Sequence, residues 1–195
     1  MAWIRYVAYF VAITFFTWAL TRMEIASPGS LKLHILPSET DIYGTSEFSP
    51  VEIIQAIILF VCGSILAWVA QHCPSQRPIA FLLGGMALAF LIRELDYFLD
   101  RYVIDNLWQV LVAIVSALVI AYTYRHRRRL QIALARIWPS PGLTLLFSGA
   151  VILFAFVHFV GHEPLWMSIL GDDYRRVIKL AVEEFIELSG YILWM

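Results

Sequence analysis

Charge is scarce in this sequence. Aspartate, glutamate, lysine and arginine supply 15% of the 195 residues, against 61% hydrophobic. A water-soluble domain carries about a quarter charged and about half apolar residues. A core of this size cannot absorb that excess. The composition therefore excludes an ordinary soluble domain and points to an all-α integral membrane protein, read as a single transmembrane domain over 1–195. A net charge of -1 removes any general pull toward nucleic acid. Cysteine is nearly absent. Cys62 and Cys73 form no C-x-x-C pair, and one lies inside an apolar run with the other at its end, so both read as apolar thiols rather than a disulfide. Internal repeats and low-complexity tracts are missing too, and with them the inverted repeat that many transporters carry.

What is present is a series of long apolar runs. Six are long enough to cross a bilayer, near 3–21, 51–71, 79–99, 107–124, 143–161 and 175–194, which predicts a six-helix transmembrane bundle. The first resembles a signal peptide, but no clean small-x-small cleavage site follows it, so it reads as a retained span. Ser49-Pro50-Val51-Glu52 is a capping box with proline at the first helical position, and it opens the second span. Pro78 opens the third. The run Trp138 to Gly142, WPSPG, breaks the chain ahead of the fifth, and Asp172 or Asp173 caps the sixth. Trp3, Trp18, Trp108, Trp138, Trp166 and Trp194 fall near span ends, as an interfacial belt requires.

Orientation follows from the arginines. Arg125, Arg127, Arg128, Arg129 and Arg136 crowd directly after the fourth span, and all fifteen acids fall on the opposite side of the membrane. The positive-inside rule places the basic segment 125–141 in the cytoplasm of a plasma or inner membrane, with both termini inside. The outward segments are then 22–50, 100–106 and 162–174. The orientation rule alone accounts for the arginine cluster, so it reads as a topology anchor before a headgroup site. Leu130, Leu134 and Ile137 add helical spacing, which predicts a short amphipathic helix along the inner surface.

The acids inside the last span raise the functional question. At about 100° per residue, Glu183 and Glu187 share one stripe with Arg176, Lys179 and Gly190, and Glu184 lies at its edge beside Tyr191. The opposite arc, including Phe185, Val182, Ile178 and Ile192, is apolar and predicted to face lipid. The third span repeats the asymmetry in FLIRELDYFLDR, with Arg93, Glu94, Asp96, Asp100 and Arg101 on one side. The fifth ends in FVHFVGHEP, where His158 and His162 stand four apart, the spacing of one helical face. All three polar ends fall in the outer half of the membrane. Glu187 lies roughly 18 Å into its helix and is too deep to reach the surface.

Two histidines at this spacing with several carboxylates suit a divalent metal such as zinc. In the leading reading, His158, His162 and Asp100, or one of the glutamates, hold the ion. Glu183 or Glu187 then serves as general base, Arg93 grips a phosphate or carboxylate of the substrate, and Glu94 stands beside it. That composes a hydrolase for a lipid or small substrate. The H-x-x-x-H pair resembles the seven-helix ceramidase and adiponectin-receptor group of membrane metal hydrolases. The likeness covers His158 and His162 alone. The group's S-x-x-x-H element on an early span is missing and six spans are predicted rather than seven, so no residue role is carried over. The alternative is a non-enzymatic module, such as a sensor, assembly partner or proton- or cation-binding subunit, whose charges pair between helices. Pairs such as Lys179–Glu183 and Arg93–Glu94 need no ligand. Transport fits less well, because the inner halves of the spans are nearly free of ionisable groups.

Overall fold

The apolar runs become helices, and among the described residues no strand occurs. The computed structural model describes residues 2–27, 49–138, 140–171, 174 and 176–195. In chain order the elements are α1 (Ala2–Ala26), α2 (Pro50–His72), α3 (Arg77–Glu94), α4 (Asp96–Tyr102), α5 (Leu107–Arg125), α6 (Arg127–Ile137), α7 (Pro141–Val151), a π-helical segment (Ile152–Phe156), α8 (Val157–Val160), α9 (Glu163–Leu170) and α10 (Arg176–Trp194). The π-helical segment joins α7 to α8 without a break. Most of the 22–50 connection, and the expected cap at Asp172 or Asp173, lie outside the described residues.

Among the described residues, four helices are long and apolar enough to cross a membrane: Tyr6–Ala26, Pro50–His72, Leu107–Arg125 and the continuous Pro141–Val160. They keep large apolar side chains on their outer surfaces. Phe10, Phe60, Leu118 and Phe147 are each more than half exposed. In water such a surface drives aggregation, whereas in hydrocarbon it matches the solvent. The other two expected spans differ. α3 carries Arg77, Arg93 and Glu94, and α10 carries Arg176, Lys179, Glu183, Glu184 and Glu187. Among the described residues, length and apolarity by themselves mark the four helices and not these two.

The chain divides into two compact units, one of Met1–Ile54 with Leu145–Trp194, the other of Gln55–Thr144 with Met195. In the second, α3 runs antiparallel to both α2 and α5, and small residues set the spacing. A Cβ on Gly84 would lie 3.4 Å from Cβ of Leu66, one on Gly63 would lie 4.0 Å from Cβ of Ala87, and one on Gly85 would collide with Val119. Both helices run straight through these glycines, so they serve close packing and not helix breaks. Phe81 and Tyr122 meet nearby, with ring centroids 4.0 Å apart.

The expected third span does not continue through Asp96. It stops at Glu94, and Leu95 turns the chain into the separate α4. The Leu95 N–H is shared between the carbonyls of Leu91 and Ile92, and the Asp96 carboxylate accepts the Tyr97 N–H at 2.5 Å. A short acidic side chain that takes a neighbouring amide competes with the helix ladder. The single polar stripe expected from Arg93 to Arg101 is therefore cut in two.

In the first unit, α10 packs against α1, the π-helical segment, α8 and α9. The closest approach is at paired glycines. A Cβ on Gly149 would stand 2.8 Å from the carbonyl oxygen of Gly190, and one on Gly190 would stand 2.7 Å from Leu153 Cγ and 3.3 Å from Ile152 Cγ2. Both of those neighbours belong to the π-helical segment, whose wider turn lays two successive side chains on one glycine. Gly149→Ala is expected to lower stability by about 1–3 kcal/mol, since a backbone oxygen cannot step aside. Gly142→Ala, with nothing within 4 Å, serves as the control and should leave the thermal midpoint unchanged or slightly raised.

Candidate functional site

Helix α10 owes its position to a conflict within its own sequence. Its apolar residues need burial, and its acids need donors. The last two turns are deeply buried: Leu188 and Tyr191 are 1% and 0% exposed, and Ile192 and Trp194 are nearly so. Glu187 is buried as well, at 5% exposure. The arc expected to face lipid is partly covered by protein. Ile192 is buried, Val182, Phe185 and Ile186 are half-buried, and Ile178 near the helix start is exposed. Apolar periodicity marks residues that avoid water, and cannot tell lipid from a protein interior.

The donors come from within the first unit. Ser49, fully buried, precedes α2. Its Oγ accepts the Glu52 N–H at 3.1 Å while the Glu52 carboxylate accepts the Ser49 N–H at 3.2 Å, which completes the capping box read from the sequence. The same hydroxyl donates to Glu184 Oε2 at 3.2 Å. Two carboxylates, Glu52 and Glu184, thus gather at the N-terminus of α2, where unpaired amides and the helix dipole favour negative charge. One turn earlier on α10, Lys179 Nζ lies 3.5 Å from Glu183 Oε2. The Glu183 carboxylate lies against the Gly161 backbone, so that a Cβ there would stand 2.6 Å from Oε1.

The histidine pair expected to hold a metal is interrupted by a turn. Helix α8 ends at Val160, and His162 takes an extended conformation (φ -77°, ψ 107°) as the residue before α9. Gly161 closes one helix and Pro164 fits the first turn of the next, so the two histidines share no helical face. Both imidazoles are exposed. Asp100 lies in α4 of the second unit, with a buried Oδ1 that has no hydrogen-bond partner among the described residues. Arg93 and Glu94 close α3, also in the second unit, whereas Glu183 and Glu187 belong to the first. Among the described residues, no group of three or more His, Cys, Asp or Glu is placed to hold a metal ion. The side chains of Arg101 and Arg176 lie outside the described residues.

Two participants were not expected. Ser49 was legible as a cap but not as the partner of a residue far along the chain. The eight-residue α9 was read as loop, although proline in its first turn was a signal for it. It is held by the Trp166 Nε1–H, which donates to the Val160 carbonyl at 2.6 Å. That bond satisfies one of the carbonyls α8 leaves open at its end.

No protein family, characterised protein or solved structure matches the chain. The arrangement at Ser49 can therefore be judged only by what it does physically, which is to tie the first turn of α2 to the middle of α10. Ser49→Ala should lower stability by about 1–2 kcal/mol through the lost cap. Glu52→Gln, which preserves a capping box, should change it by less than about 0.5 kcal/mol in the same denaturation assay.

Proposed function

We propose that the chain is a multi-pass membrane module without chemistry of its own, in which α10 is a polar helix of the protein interior and its carboxylates fasten neighbouring segments. The observation that carries this reading is the Ser49 hydroxyl donating to Glu184 while Lys179 pairs with Glu183. Side chains of the protein occupy these acids, and a packing role needs nothing further. In this reading α3 and α10 cross the membrane with the four apolar helices. The arginines at 125–136 lie in the cytoplasm with both termini, and the outward connections stay on the far side. Such a module fits sensing or assembly within the membrane. A metal-assisted hydrolase would need His158 and His162 converged with a carboxylate, and the chain turns between them.

Replacing Glu184 separates the two roles. Glu184→Ala leaves the fully buried Ser49 hydroxyl without its acceptor and should cost about 1–3 kcal/mol. Glu184→Gln keeps a carbonyl oxygen for the same bond, and its thermal midpoint should fall close to wild type. A Gln variant clearly more stable than wild type would overturn the reading, because that pattern marks a carboxylate held under strain for function.

A further inference from the structure

The strongest charged patch outside α10 is the exposed side of α6. This helix has the amphipathic pattern expected of it, but its apolar face is already used. Ala133 is 4% exposed, Leu130, Leu134 and Ile137 are half-buried, and the helix packs on α3 and α5 within the second unit. A second side remains open. Ile132 stands four residues after Arg128 and three after Arg129, and Arg136 four beyond it, which puts them on one helical stripe, and all are exposed, Ile132 by 56%. Among the described residues no carboxylate pairs with these arginines, and the sequence holds no acid at all between Asp105 and Glu163.

The position of α6 along the chain says what meets that stripe. It directly follows α5, which is fit to cross a membrane, and directly precedes the crossing helix Pro141–Val160. A segment between two consecutive crossings has to lie at one membrane face. Its ends carry the aromatic residues of an interface: Tyr124 and Trp138 are 70% and 75% exposed, and the Arg127 guanidinium sits 4.9 Å over the Tyr124 ring. We infer that the stripe Arg128, Arg129, Ile132 and Arg136 is a docking surface for the anionic phospholipid headgroups of the adjoining leaflet. The arginines take the phosphates, and Ile132 enters the acyl boundary between them. This goes beyond an orientation signal, which needs the charges only during insertion. The inference rests on α5 and Pro141–Val160 crossing the membrane, and resistance of the protein to carbonate extraction from membranes tests that premise separately.

The binding test uses the full chain in an uncharged detergent, titrated with short-chain phosphatidylglycerol, short-chain phosphatidylcholine or inorganic phosphate, with tryptophan fluorescence as readout. Phosphatidylglycerol should bind at much lower concentration than phosphatidylcholine, and more weakly as salt is raised. Each Arg→Gln change should weaken it about fivefold, and Arg128→Gln/Arg129→Gln/Arg136→Gln together on the order of a hundredfold. The triple Lys variant should bind nearly as wild type, because a leaflet reads charge more than fork geometry. The singles Arg128→Gln and Arg136→Gln carry the test if the triple variant does not purify. Equal midpoints for the two lipids, an equal response to inorganic phosphate, or unaltered phosphatidylglycerol binding by the Gln variants would overturn the proposal.

Discussion

A carboxylate carried into a helix bundle must be met by a donor, and in this protein the Ser49 hydroxyl meets Glu184. The serine has only one hydroxyl hydrogen to give, and it goes to α10. Its oxygen and its amide are engaged with Glu52 in the cap of α2. A local device that starts one helix thereby becomes a tertiary tie to another. Full burial of Ser49 makes the tie consequential, since an unmet hydroxyl there has no water to turn to. The paired glycines at 149 and 190 add the second constraint, because α10 can approach α7 only where neither chain carries a Cβ.

The resulting distribution is the reverse of a soluble protein. The most apolar helices expose phenylalanine and leucine, while the helix richest in charge has the most buried final turns. Hydrocarbon explains the first half, because it levies no cost on apolar surface. The second half follows from the same solvent. In the proposed reading α10 also lies in the membrane, where charge cannot face lipid, so a helix with three glutamates has to turn them to protein groups. The basic helix α6 completes the pattern, with its apolar side on protein and its arginines open.

Much of this was legible in the sequence, and what was not has specific physical reasons. The helices follow from run length, and the capping box at Ser49 from its own residue types, because both are local. The pairing of Lys179 with Glu183 is also local, one helical turn apart. Two readings failed where a local rule was outvoted. The third span was carried past Leu95 because hydropathy does not register Asp96 taking its neighbour's amide. His158 and His162 were placed on one face because spacing was read without the Gly161 to Pro164 break. Partial cover of the apolar arc of α10 was not legible either, because periodicity does not name the apolar neighbour. The π-helical segment had no signal in ILFAF.

The central claim is that Ser49 and Glu184 act on each other and not merely near each other. A double-mutant cycle measures that directly, from the unfolding free energies of wild type, Ser49→Ala, Glu184→Ala and the double variant in one detergent. A hydrogen bond to a carboxylate in a buried setting predicts a coupling of about 1.5–3 kcal/mol, with the double variant losing clearly less than the sum of the singles. Additivity within about 0.5 kcal/mol would contradict the account and leave the glutamates of α10 without the role assigned to them.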